Sequence, residues 1–495
     1  MKRENIKNML DTDKIHDECG VFGIYNHKSA PNWIYLGLYA LQHRGQEGAG
    51  IVCSDGTILT AHRGVGLVND VFPAHKLARI QGSMGIGHVR YSTFGSSNLR
   101  NVQPLLVNYI NGSIAICHNG NLINGAYLRY ELERKGAIFQ STSDTEVIIH
   151  LIARSNQKTF IDSVIDALKQ IKGAFCLLIM NQNEMIAVRD PFGFRPLWIG
   201  KKGRGYVFSS ETCALDLVGA KWVREVEPGE VIHIKGNELH SIFPFEKVTP
   251  KQCIFEFIYV ARPDSVIFGR SVDLVRKELG RALARIAPVK ADFVMAVPDS
   301  SNPAALGYAY ESGLPFDMGF IRNHYVGRTF IEPDQKMRDF GVKIKLNPSR
   351  DTVKGKRIVL VDDSIVRGTT SRKIIKLLRH CKVKEIHYRV ASPPIVNSCY
   401  YGIDTPNRER LIAYKMTKQG SQVDVEKIRK YIGVDTLAYL TIPAILEATF
   451  SNKEYFCTAC FDNNYPTPTP NDYELPPTNH NTIKDSSLDY TRHSR

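Results

Sequence analysis

Residues 359–371 read VLVDDSIVRGTTS. Three apolar residues, Val359, Leu360 and Val361, lead into two acids, Asp362 and Asp363. A short loop with Arg367 and Gly368 follows, then the hydroxyl run Thr369, Thr370 and Ser371. Beyond it SRKIIKLLRHC carries apolar residues at helical spacing, so the stretch predicts a buried strand, an acidic turn and a helix. In a parallel α/β sheet ligands gather at the carboxyl ends of strands, which is where both acids fall. N–H groups and hydroxyls at a helix start can cradle a phosphate, and the helix dipole adds to the attraction. Paired carboxylates can hold sugar hydroxyls directly or through Mg²⁺, an ion that favours a few carboxylates plus substrate oxygens. An acidic turn capping an ordinary helix is the plainer alternative. The strand, both acids, the Gly and the hydroxyls in unbroken order favour the binding loop.

Outward from this stretch, ADFVMAVP and KEIHYRVAS are short apolar runs that read as further buried strands. Strands alternating with longer helices after about residue 250 predict a parallel α/β sheet. Ala296–Pro303 (AVPDSSNP) places a second loop, with Ser300 and Ser301, after one of those strands. Between the two loops, Arg328–Arg338 with Lys343 and Lys345 is a basic segment. It reads either as a solvated loop or as a lid that excludes water from a bound anion.

Before about residue 245 the rhythm differs. Short strands with frequent Gly, such as GAFCLLIMN and MIAVRDPFGFRPLWIG, predict layered sheets with few helices. PNWIYLGLYALQ is one helix, and VIIHLIA another, introduced by Ser143-Asp144-Thr145-Glu146 at capping-box spacing. The length of 495 residues implies two domains, and 43% apolar residues suffice for their cores. No apolar run reaches the roughly 18 residues of a membrane span. The opening MKRENIKNMLDTDKIHDE has no apolar middle, so a secretory signal is not expected and a cytoplasmic location is. The 64 Lys and Arg residues (net charge +14) are spread out, which argues against nucleic acid and suits a substrate with several phosphates. From residue 464 the polar, Pro-rich tail is expected to be disordered.

Taken singly, the remaining candidates have ordinary explanations. Cys19 before the strand-like GVFGI is a small core residue, Arg90 a surface charge, Asn119-Gly120 a turn and Asp144 a helix-start acid. Together and in order, Cys19, His88–Thr93 (HVRYST), His118–Asn121 (HNGN) and Ser143–Glu146 resemble the class II glutamine amidotransferases, with an N-terminal-nucleophile (Ntn) hydrolase fold. VLVDDSIVRGTTS and AVPDSSNP resemble the type I phosphoribosyltransferases. The two sets in this order, from Cys19 to about Tyr465, resemble the amidophosphoribosyltransferases.

The resemblance implies an α+β glutaminase domain over 19–248 and an α/β phosphoribosyltransferase domain over 249–463. It also implies a propeptide, 1–18, removed to expose Cys19 as an N-terminal nucleophile. Arg90, with Thr93, would grip the carboxylate of glutamine and Asp144 its ammonium, while Asn119 and the N–H of Gly120 stabilise the oxyanion. The free α-amine of Cys19 would act as base, since it titrates near 7.7–8.0 unperturbed. His43, Arg44, Gly45, Gln46 and Glu47 would support the site. Arg367, Gly368, Thr369, Thr370 and Ser371 would take the 5-phosphate, with Tyr259 a further participant, and Ser300, Asp362 and Asp363 would surround Mg²⁺. Ser301 departs from the Gly expected in the pyrophosphate loop.

Cys457-Thr458-Ala459-Cys460 is a CxxC, compatible by itself with zinc, a redox dithiol or neither. With Cys253 and Cys399 it matches four positions that, in an iron–sulfur branch of the same family, hold a [4Fe-4S] cluster. A Cys₄ zinc site has the same ligand count, and spacing does not separate the two. The implied reaction converts glutamine, water and 5-phosphoribosyl 1-pyrophosphate to 5-phosphoribosylamine, glutamate and pyrophosphate. Ammonia would pass between the domains in an enclosed channel. Inhibition by purine nucleotides and a homotetramer are further expectations of the resemblance. The rivals are a different class II glutamine amidotransferase and a non-catalytic phosphoribosyl-binding regulator. VLVDDSIVRGTTS opposes the first, and the set Cys19, Arg90, Asn119 and Asp144 opposes the second.

Overall fold

The computed structural model describes residues 19–91, 99–236, 238–323, 346–417 and 422–473. Residues 1–18, expected as a propeptide, Thr93, the basic segment Arg328–Arg338 with Lys343 and Lys345, and residues 474–495 of the expected disordered tail lie outside the described residues.

The first half is two antiparallel sheets stacked face to face. One runs, in spatial order, Lys221–Glu225, Trp198–Lys202, Gly205–Ser209, Gly20–Tyr25, Met84–Arg90, Gly48–Ser54 and Leu59–Val65. The other runs Glu238–Ile242, Val231–Lys235, Glu184–Arg189, Gly173–Met180, Gly112–Leu122 and Leu105–Tyr109. Gly20–Tyr25 is buried throughout, and period-two alternation explains its unbroken apolar character. Val21 joins Ile86, Cys117, Leu178 and Ile232 in the core between the sheets. Phe22 and Ile24 turn the other way, onto Ile34 and Leu38 of the Ala30–Ala40 helix. On the outer face of the second sheet, Thr145–Arg154 and Phe160–Leu168 cover Ile116, Leu177 and Ile186. The result is helix, sheet, sheet, helix. Each fully buried Val, Ile, Leu or Phe contributes about 1.5–3 kcal/mol to holding the layers together.

The expected capping box at 143–146 is absent. Asp144 occupies the cap position without capping, and Glu146 accepts from the N–H groups of Gln140 and Ser141 instead. This ties down the preceding turn and releases the Asp144 carboxylate for other partners.

The second half opens with Gln252–Cys253 paired in parallel to Phe456–Cys457, so its beginning and end meet. A π-helical turn, Glu256–Val260, and the Val272–Ile286 helix follow, the latter capped by Ser271. Four parallel strands stand in the order Phe293–Ala296, Arg357–Asp362, Glu385–Val390 and Thr436–Tyr439. Val359 and Val361 face Val275, Leu279 and Ala305, whereas Ile358 and Leu360 face Ile374, Ile375, Leu378 and Ile428. Helices cover both faces, as continuous apolar strands require. Residues 464–473 stay attached to both halves: Tyr465 donates to Ser398 O of the second at 2.6 Å, and the Tyr473 ring lies 6.2 Å from that of Tyr127 in the first. Among the described residues no helix is long and apolar enough to cross a membrane.

Candidate active site

The first constellation sits where three strands end. Cys19 directly precedes Gly20–Tyr25, whose neighbour Met84–Arg90 ends in Arg90, and both residues are buried. The Cys19 thiol lies 3.5 Å from Tyr91 O. Burial pulls the Arg90 pKa down, while Cys19, Glu47 and Asp144 act on it in the opposite direction. That places a thiol and two carboxylates within electrostatic reach of one guanidinium, which stays charged all the same. Asp144 Oδ2 accepts from Leu122 N at 2.8 Å and lies 3.7 Å from His118 Nδ1.

Asn119 and Gly120 lie on Gly112–Leu122. Asn119 is 1% exposed, yet its Nδ2 has no hydrogen-bond partner among the described residues. An orphaned buried donor costs about 1–3 kcal/mol and calls for an explanation. Gly120 has φ +148°, and a Cβ there would stand 2.1 Å from Ala174 O, so only glycine fits. His88, fully buried, donates through Nε2 to His118 O at 3.1 Å, since a carbonyl only accepts. Its pKa falls to about 3, chiefly through burial, so it stays neutral.

The 43–47 segment does approach this centre. Arg44 Nε donates to Cys19 O at 3.1 Å, and Gly45 packs on the backbone of Val89 and Arg90. Arg44 also forms buried pairs with Glu211 (2.6 Å) and Glu256 (2.7 Å). Burial alone would raise the Glu211 pKa, but His43 and Arg44 outweigh it and hold the carboxylate well below its usual range. Glu211, Glu256 and Arg195, all fully buried, escaped sequence reading because each is a lone charge in an apolar segment. A charge within such a run was the available signal.

The second constellation forms at the carboxyl end of the parallel sheet. Asp362 ends its strand, and Asp363 follows, each 1% exposed. Tyr388 donates to Asp362 Oδ2 at 2.6 Å and Ser301 to Oδ1 at 3.3 Å. Ser300 and Ser364 donate to Asp363. Burial first, then Asp362, raises the Tyr388 phenol well above its ordinary pKa, keeping it a donor. Gly368, with φ +78°, turns the chain into the Thr369–His380 helix. A Cβ on it would meet Ile412 at 2.6 Å. Thr369, Thr370 and Ser371 form that helix's first turn, with Ser371 buried. Tyr259 lies on the Glu256–Val260 turn, half-buried against the adjoining core. Arg276 donates to Phe257 O (2.6 Å) and Ala261 O (2.8 Å), clasping that turn.

The metal expectations are corrected. Among the described residues no group of three or more His, Cys, Asp or Glu side chains is arranged to hold a metal ion. This overturns Mg²⁺ on Ser300, Asp362 and Asp363, whose carboxylates are occupied by protein hydroxyls. It also overturns a [4Fe-4S] cluster, and equally zinc, on Cys253, Cys399, Cys457 and Cys460. These four line one small cavity with Phe194, Phe255 and other apolar groups. Burial there pushes the Cys457 thiol up to about 12 and the Cys460 thiol well above its ordinary value.

Comparison with known proteins places the whole chain in a family. A family model described as a glutamine amidotransferase domain matches residues 88–217. Amidophosphoribosyltransferase 1, chloroplastic, from Arabidopsis thaliana is 52% identical over 458 residues, spanning 92% of this chain and 80% of that protein. The Bacillus subtilis amidophosphoribosyltransferase is 49% identical over 469 residues, spanning 93% of this chain and 97% of that one. A solved structure of the glutamine phosphoribosylpyrophosphate amidotransferase from B. subtilis, complexed with ADP and GMP, superposes with a TM-score of 0.85 at 49% identity. It covers 91% of this chain and 98% of that one. The layered first half is accordingly an Ntn-hydrolase-like glutaminase and the second an α/β phosphoribosyltransferase. No iron–sulfur branch is marked by these matches, and with half the residues identical across both halves the chain belongs to the amidophosphoribosyltransferase family.

Proposed function

We propose that this chain catalyses the first committed step of purine synthesis through two linked half-reactions. Glutamine, 5-phosphoribosyl 1-pyrophosphate and water give 5-phosphoribosylamine, glutamate and pyrophosphate. The observation that carries the residue assignment is the buried Arg90 within electrostatic reach of both Cys19 and Asp144. Glutamine has a carboxylate for Arg90, an ammonium for Asp144 and an amide carbon for Cys19. The thiol attacks that carbon, forming a glutamyl thioester and releasing ammonia, and water then frees glutamate. Asn119 Nδ2 and Gly120 N–H stabilise the oxyanion. The orphaned state of that amide supports this role, because a preorganised donor waits for charge that develops only in the transition state.

With residues 1–18 removed, the α-amine of Cys19 takes the thiol proton, so no histidine is needed as base. His88, held neutral, is a structural group. In the second half, N–H groups and hydroxyls from Arg367 to Ser371 bind the 5-phosphate at the helix start. Asp362 and Asp363 hold the ribose hydroxyls. Ammonia travels inside the protein, past Tyr259, to the anomeric carbon, where it displaces pyrophosphate.

A homotetramer, inhibition by purine nucleotides and a cytoplasmic location belong to the same proposal. The ADP and GMP bound to the B. subtilis relative support nucleotide inhibition. Intact mass of the purified active protein tests the mechanism. A chain beginning at Cys19 is expected, and an active chain still carrying Met1–Glu18 would exclude an N-terminal nucleophile.

A further inference from the structure

Both working parts of the glutaminase centre are held from the other half of the chain. Arg44, which grips Cys19 O, places Nη1 and Nη2 on the two carboxylate oxygens of Glu256 at 3.0 and 2.7 Å. Glu256 also takes Arg195 Nη1 at 3.3 Å, and Arg195 directs Nε and Nη2 onto Tyr401 O at 3.0 and 2.7 Å. Beside Tyr401, the carbonyl of Tyr400 accepts from Asn121 Nδ2 at 2.9 Å. Gly402 lies so near Gly120 that a Cβ on it would fall 3.1 Å from Gly120 Cα. The contacts therefore run from the nucleophile's own carbonyl, through Arg44, Glu256 and Arg195, to the loop that backs the oxyanion glycine.

Fold stability alone does not account for this chain of charges. Well-packed apolar residues of similar volume are commonly as stabilising as a buried ion pair, or more so. The ends of the chain are also specific, since they are the backbone of Cys19 and the strand carrying Asn119 and Gly120. Glu256 begins the turn that carries Tyr259, and the Arg276 that clasps this turn feels Asp363 as well as Glu256.

We infer that Glu256 is a positioning residue for glutamine hydrolysis: it sets the separation of Cys19 from its oxyanion donors. The inference rests on Cys19 being the nucleophile. A misplacement of about 1 Å in such a site costs on the order of 100-fold in rate, so a modest shift of Arg44 is enough.

The test compares full-length wild type, Glu256→Gln, Asn121→Ala and Cys19→Ala. Glutamate release is measured from glutamine, and pyrophosphate release with ammonium chloride replacing glutamine. Glu256→Gln is expected to lower kcat for glutamate release about 10- to 100-fold with KM changed less than about threefold, and ammonia-dependent release to stay within about twofold. Asn121→Ala, which removes one contact, should fall in the same direction by less. Wild-type kcat for glutamate release in Glu256→Gln overturns the inference, as does a rise in KM alone. If Glu256→Gln loses both activities together, Asn121→Ala decides: a selective loss of hydrolysis upholds the inference, and unchanged hydrolysis overturns it. Glutamate release persisting in Cys19→Ala would instead refute the nucleophile assignment.

Discussion

A single side chain separates catalytic cost from structural benefit at Asn119. Its buried Nδ2 lacks a partner among the described residues, so the folded protein bears a desolvation cost of about 1–3 kcal/mol that an alanine would relieve. Asn119→Ala should therefore lower kcat for glutamine hydrolysis by about 100- to 1,000-fold without lowering the melting temperature. Loss of stability with hydrolysis intact would remove the oxyanion role. His88 gives a second prediction at this scale. Burial lowers its folded pKa to about 3, whereas the unfolded imidazole titrates near 6.5. Between these values the unfolded chain binds the extra proton, so stability rises with pH there. The contribution is complete above about pH 6.5 and is lost on acidification toward about pH 3. Denaturant titrations from pH 6.5 to 4 should show the wild-type slope exceeding that of His88→Gln by about 1.4 kcal/mol per pH unit. Parallel slopes would mean that His88 is protonated in the fold.

At the scale of elements, the Thr369–His380 helix works through its entry. Gly368 adopts a left-handed φ of +78°, and a methyl there would press on Ile412 at 2.6 Å. Alanine costs about 1–2 kcal/mol in that conformation even before the collision. Gly368→Ala should raise KM for phosphoribosyl pyrophosphate at least about tenfold in the ammonia-dependent assay, by rotating the first-turn N–H groups off the phosphate. Glutamate release without phosphoribosyl pyrophosphate should stay unchanged, and a parallel fall in both would show a general fault. This element was legible in the sequence because strand, acids, glycine and helix are consecutive, and local rules suffice for consecutive residues. The 143–146 capping box was misread for the converse reason. Its spacing is local, but Leu122, distant in sequence, supplies the N–H that draws the Asp144 carboxylate away. CxxC misled similarly, since spacing reports neither burial nor the apolar neighbours of those cysteines.

Across the whole molecule, motif order revealed two halves but not how firmly they are joined. Arg44 and Glu256 stand 212 positions apart, and Arg195 and Tyr401 are separated by 206. No local pattern anticipates pairs at such distances. Each charge is fully buried, and parting the halves would break the contacts of Arg195 to both Glu256 and Tyr401 O. The Phe194 and Tyr401 rings, stacked 4.2 Å apart across the same boundary, add apolar contact that would also be lost. The halves should consequently unfold together. Calorimetry of the intact chain is expected to give one transition whose calorimetric and van't Hoff enthalpies agree per cooperative unit. The glutaminase half made alone should be insoluble or melt well below the intact protein. Two resolved transitions, with the isolated half melting at the temperature of one of them, would show that the buried charges join two independently stable bodies.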